Sequence, residues 1–199
     1  MYNAGRSHIN TIRFETFKMG PYEDPDDVIL SREAIFVKTF IDNRTILEIV
    51  NEYEAHFFTV KKKPNLRYGY QFVKELYRYC VDVNFHSDIG LLICGGCLEE
   101  GCWPMYCSMK ETENTVVWSD FCNPHLSGEF GGKPDVDYSR LGPFEFEKDQ
   151  FWSEVEKLRE SAEEDRIVAQ KCHEKWLAEM AEVTETQKAA AQSFSGNSC

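Results

Sequence analysis

The sequence predicts a single α+β domain: a mainly antiparallel sheet flanked by two helices, with a long C-terminal helix. Three observations predict it. Apolar residues alternate with a strand's period of two in several segments, recur at helical spacing in two middle segments, and run without Pro or Gly from Glu147 to about Val183. With 199 residues, of which 42% are hydrophobic and 28% charged, the chain has the composition of one ordinary globular domain.

Strands are expected over 10–18, where Ile12 and Phe14 alternate with Thr11, Arg13 and Glu15, and over 34–41, where Ile35, Val37 and Ile41 share a face. Between them Gly20-Pro21 and the acidic run Glu23-Asp24-Pro25-Asp26-Asp27 form a polar turn region. Thr45 and Glu48 have capping-box spacing, and Ile46, Ile49, Val50, Tyr53 and Phe57 follow at helical intervals, so a helix is expected over about 45–58. A second helix, from Arg67 to Val81, is expected from Phe72, Val73, Leu76, Tyr77 and Cys80.

Strand patterns return over 89–93, 103–109 and 115–121, with Cys107 on the apolar face of the middle one and Trp118 on the core side of the last. If 115–121 is a regular strand, Ser119 and Asp120 point to opposite faces, and Asp120 caps the following turn. Residues 123–143 are rich in Gly, Pro, Ser and Asp and read as a long irregular loop.

The final apolar series, Phe151, Val155, Leu158, Ala162, Ala169, Cys172, Trp176 and Val183, has Asp165 in one of its slots. Such a helix would be about 55 Å long, against a domain diameter of roughly 40 Å, so its second half must project, turn back near Asp165, or pack on a partner. The division expected is a domain over 1–158, a helical extension over 159–184 and a mobile tail over 185–199.

A formal net charge of −12 disfavours nucleic-acid binding. The N-terminal residues lack the apolar core of a signal peptide and no apolar run approaches the length of a membrane span, which points to the cytoplasm. In that compartment the eight cysteines are expected to be reduced, and their grouping reads as metal binding or burial. No glycine segment matches a nucleotide-binding loop.

Cys94-Gly95-Gly96-Cys97 is a C-x2-C pair and Cys122-Asn123-Pro124-His125 a C-x2-H pair. Thiolates and an imidazole so paired suit tetrahedral zinc, so one structural zinc is expected on Cys94, Cys97, Cys122 and His125, with Cys102 as the replacement ligand. A redox pair would want a helix N-terminus beneath Cys94, whereas a strand is expected there.

Residues Cys97, Gly101-Cys102-Trp103-Pro104, Trp118-Ser119-Asp120-Phe121 with Pro124-His125, and Gly142-Pro143-Phe144 with Phe146 resemble a family of bacterial proteins without an established activity. Its pattern is C-x-C-G-x-x-G-C-W-P, then W-S-D-F-x-x-P-H, then G-P-F-x-F before a C-terminal helix. The resemblance spans about 34–158. This chain departs from it at three places: Gly95 stands where the first cysteine would fall, with Cys94 one place earlier; Leu98 replaces a glycine; and Cys122 is additional.

The function expected is that of a non-catalytic binding protein, most concretely an acidic immunity- or inhibitor-type protein masking a basic protein partner through Asp24, Asp26 and Asp27. The alternative is a metal-dependent hydrolase or redox enzyme using the Cys/His cluster, with Asp120 and His125 as catalytic groups. A homodimer through the C-terminal helix is a further expectation.

Overall fold

The computed structural model describes residues 8–19, 34–58, 68–82, 88–129 and 135–195. They form β1 (Ile9–Asn10), β2 (Ile12–Met19), β3 (Ala34–Ile41), β4 (Arg44–Thr45), α1 (Ile46–Ala55), β5 (Tyr68–Phe72), α2 (Val73–Val81), β6 (Ile89–Cys94), β7 (Met105–Glu111), β8 (Thr115–Cys122), β9 (Phe144–Glu147) and α3 (Lys148–Ser195). The α+β class and the long C-terminal helix are as expected.

One nine-stranded sheet runs in the order β1-β9-β8-β7-β6-β5-β3-β2, with β4 on β3. Every pairing is antiparallel except β1 on β9. β1 and β2 are the two edges of this order, yet only Thr11 separates them in the chain, so the sheet curls until one edge meets the other.

The capping box is present as expected: Glu48 N donates to Thr45 Oγ1 at 3.2 Å, and Thr45 N donates to Glu48 Oε2 at 2.9 Å. The second helix starts later than its apolar spacing suggested. Tyr68, Gly69 and Tyr70 instead pair with Cys94, Ile93 and Leu92 as strand β5, and α2 begins at Val73. Gly69 is what this close pairing requires, because a Cβ there would stand 3.0 Å from the Cα of Gly95.

The core centres on Trp118, fully buried, with Phe146 and Phe151 edge-on to it at 5.3 and 5.8 Å. Helix α3 lies along α2 and edge strand β2, burying Phe151, Val155, Leu158 and Ala162. Its polar side chains serve the edge: Gln150 Oε1 accepts from Ile12 N at 3.4 Å and Glu154 Oε2 from Phe14 N at 3.3 Å. Covering an edge strand in this way blocks pairing with another chain. Asp165 occupies its apolar slot because its buried Oδ1 accepts the N–H of Ile35 at 3.0 Å, where β3 begins.

Beyond Asp165, α3 continues unbroken to Ser195, with no return hairpin. The helix thus extends through residue 185, where the apolar pattern ends. Its core-facing side carries on through Ala169, Cys172, Trp176, Met180 and Val183, which are half-buried or exposed.

Candidate metal centre

Strand β6 ends at Cys94, and the chain then turns tightly before entering β7. Leu98 N donates to Cys94 O at 3.0 Å, closing the Cys94–Cys97 turn, and Leu98 takes a left-handed backbone with φ 58°. That conformation suits glycine, which has no Cβ to clash. Here Leu98 packs instead against the small cluster of Ala34, Phe36 and Ile93. The Glu99 carbonyl accepts from both Cys94 N at 3.3 Å and Cys102 N at 3.4 Å, drawing Cys102 back over the turn.

The result is a cluster in which the sulfurs of Cys94, Cys97 and Cys102 all lie within 4.8 Å of one another. Cys94 is buried, and the other two are half-buried. Thiolates on zinc at about 2.3 Å stand roughly 3.8 Å apart at tetrahedral angles, so closing on an ion asks for a shift of no more than about 1 Å. These three residues can hold a metal ion.

Burial works to raise the Cys94 thiol. The backbone N–H groups of Cys97 and Gly96, with the Cys97 and Cys102 thiols, outweigh it and hold Cys94 below the ordinary thiol value. Cys102, hydrogen-bonded to Cys97 and Cys94, is pushed up to about 12. Cys94 therefore ionises more readily than Cys102, and an ion bound to the three sulfurs would favour the thiolate form of its ligands.

The other two expected ligands stand apart from this cluster. Cys122 donates to Glu129 Oε1 at 3.0 Å and contacts Ser127 Oγ at 3.3 Å, and burial, then the Glu129 bond, push its thiol up to about 11. His125 stacks on Trp103 with ring centres 5.2 Å apart. The two cysteine segments end β6 and β8, which are not neighbours as expected but are separated by β7. The ring of Trp103, buried between His125 and Tyr68, takes the imidazole, so Cys102 completes the cluster in place of the C-x2-H pair.

A cleft of about 590 Å³ opens at the end of β8, lined among others by Ser119, Asp120, Cys122, Glu129, Asp137 and Tyr138. Ser119 and Asp120 both face it, against the alternation expected of a regular strand. The cause is a bulge: Tyr106 pairs with Cys122 but Ser108 with Ser119, leaving an extra residue in β8, and Asp120 takes φ 52° there. Ser119 Oγ donates to Asp120 Oδ2 at 2.7 Å, and the turn that follows is capped by Asn123, whose Oδ1 accepts from His125 N at 3.0 Å. Asp24, Asp26 and Asp27 lie outside the described residues.

One polar network escaped sequence reasoning. Buried Glu54 on α1 accepts at Oε1 from Tyr68 Oη at 2.6 Å and Tyr138 Oη at 2.7 Å, and Asn123 Nδ2 donates to Tyr68 Oη at 2.7 Å. Burial raises both tyrosine hydroxyls far above their ordinary range, so they stay protonated donors. The network ties the cleft's Tyr138 to β5, beside Cys94. A helix-spaced glutamate among aromatics gave no signal of this partnership.

No protein-family profile, no curated protein and no solved structure matches the chain. Among the described residues, no helix is long and apolar enough to cross a membrane.

Proposed function

We propose that the protein is a zinc-dependent binding protein, in which Cys94, Cys97 and Cys102 hold one ion that orders the 95–104 loop, and an acidic surface receives a basic protein partner. The approach of three sulfurs to within 4.8 Å carries the metal reading. The partner reading is supported by the net charge of −12 and by the cleft, whose described lining includes Asp120, Glu129 and Asp137. An immunity- or inhibitor-type role is its most concrete form. The hydrolase alternative has Asp120 in the cleft but the His125 ring stacked on Trp103, so binding is the better supported reading.

Native mass spectrometry of protein isolated under reducing, chelator-free conditions tests this. One zinc per chain is expected in the wild type and in Cys122→Ser, with loss of the ion in Cys94→Ser, Cys97→Ser and Cys102→Ser. An apo mass, with thermal stability unchanged by a chelator, contradicts the metal reading.

A further inference from the structure

Sulfurs gathered closely enough to share an ion are also gathered closely enough to join one another. Those of Cys94, Cys97 and Cys102 lie within 4.8 Å of each other, against about 2.05 Å in a disulfide, so any two meet by an approach of less than about 3 Å. The three differ in setting. Cys94 is buried at the end of β6, and its carbonyl is held by Leu98 N. Cys97 and Cys102 stand half-buried on the loop that follows, where Gly95, Gly96 and Gly101 are exposed. A small solute therefore reaches these two sulfurs first, and each has cysteine neighbours at hand to complete a bridge.

Resting on the metal reading above, we infer that the cluster is a thiol switch, in which hydrogen peroxide joins two of the three cysteines in a disulfide and so releases the ion. A half-buried sulfur attacks one peroxide oxygen; the S–O bond forms, the O–O bond breaks and water leaves. A neighbouring cysteine sulfur attacks the sulfenic acid so made; the S–S bond forms, the S–O bond breaks and a second water leaves. In sum, two thiols and one hydrogen peroxide give one disulfide and two waters, with two electrons passing from sulfur to peroxide oxygen. Where the sulfurs start as zinc thiolates, solvent supplies the two protons. The thiolate is the ligand and a disulfide sulfur carries no charge, so one oxidation removes two of the three ligands together. The 95–104 loop then loses its brace next to Trp103, whose ring holds His125 and lies by Tyr68. A strand, not a helix N-terminus, leads into Cys94, which suits a site that responds to an oxidant over one that turns over disulfides.

The test uses the intact zinc-loaded protein, freed of reductant and treated with hydrogen peroxide in the presence of a metallochromic chelator. Mass spectrometry then follows the whole chain and its unreduced peptides. One zinc per chain is expected in solution as the chain loses about 2 Da, with one disulfide between two of Cys94, Cys97 and Cys102. A phosphine reductant with added zinc should restore the loaded form, and Cys122→Ser should behave as wild type. Three outcomes overturn the inference and leave the metal centre standing: zinc that leaves equally fast without peroxide, sulfinic acid in place of the disulfide, and a bridge from the cluster to Cys122 or to a second chain. Zinc retained over three intact thiols does the same. A protein that carries no zinc before peroxide is added removes the metal centre and the inference with it.

Discussion

Thr11 and Asp42 hold each other through backbone and side chain at once. The Asp42 amide donates to the Thr11 carbonyl at 3.0 Å, while the Thr11 amide and hydroxyl donate to Asp42 Oδ1 at 2.8 and 3.2 Å. Asp42 and Asn43 form the two-residue turn from β3 to β4, both with positive φ, as a tight hairpin of this hand requires. Thr11 is the single step between the two edges of the sheet. One turn residue thereby fastens the point where the sheet closes on itself.

Burial opposes the ionised Asp42, but hydrogen bonds from Thr11, Asn10 and His8 outweigh it and hold the carboxyl below its ordinary value. A lowered folded-state value gives stability that is present above the unfolded-state value, near pH 4, and is lost as pH falls through the folded one. Asp42→Asn keeps the turn and the acceptor and removes the charge. It should cost less than about 1 kcal/mol near neutral pH, and the difference from wild type should shrink at pH 3. Urea denaturation at both pH values checks this.

Glu54→Leu removes the shared acceptor of two buried tyrosines. Each donor left without a partner costs about 1–3 kcal/mol, so a loss of roughly 2–6 kcal/mol is expected, against about 1 kcal/mol for Tyr138→Phe. Equilibrium urea unfolding of the two variants measures it. A loss below about 1 kcal/mol for Glu54→Leu would show that the network is not a structural tie.

At Gly69 the added methyl of an alanine would press on the Gly95 backbone, which has no flexible side chain to move aside. Gly69→Ala should therefore displace the Cys94–Cys97 turn and weaken zinc binding on the order of tenfold, equivalent to about 1.4 kcal/mol. Competition with a metallochromic chelator reads this directly. Unchanged affinity would mean that the turn floats free of β5.

The projecting half of α3 carries Met180 and Val183 about half exposed on the side that is buried lower down. Two-fold pairing is the commonest way for a soluble chain to cover such a face. Light scattering should give a dimer for the whole chain and a monomer for a chain ending at Asp165. A monomer in both cases contradicts this.

Much of the framework is legible in the residues themselves. Thr45 and Glu48 announce α1 because a capping box is a local device, and the alternation in β7 and β8 reports burial on one face, whereas β3 is buried on both over 34–37. The junction at Phe72–Val73 is not legible, since Phe72, Val73 and Leu76 fit a helical spacing whether or not the residues before them have paired with β6. Asp165 shows in the sequence only as an interruption, because its partner, the amide of Ile35, is remote in the chain. The metal cluster is half legible. Cys94 and Cys97 reveal themselves by spacing, but the choice of Cys102 over Cys122 depends on the Glu99 carbonyl folding the loop back and on Trp103 engaging His125. The bulge at Asp120 likewise depends on register between strands, which alternation alone does not specify.

Cys94, Cys97 and Cys102 are proposed to share one ion. Crystals of the zinc-loaded protein, measured on either side of the zinc absorption edge, test it most directly. One anomalous peak per chain is expected, about 2.3 Å from each of the three sulfurs. No peak among these sulfurs, or a peak between Cys122 and Glu129 instead, would contradict it.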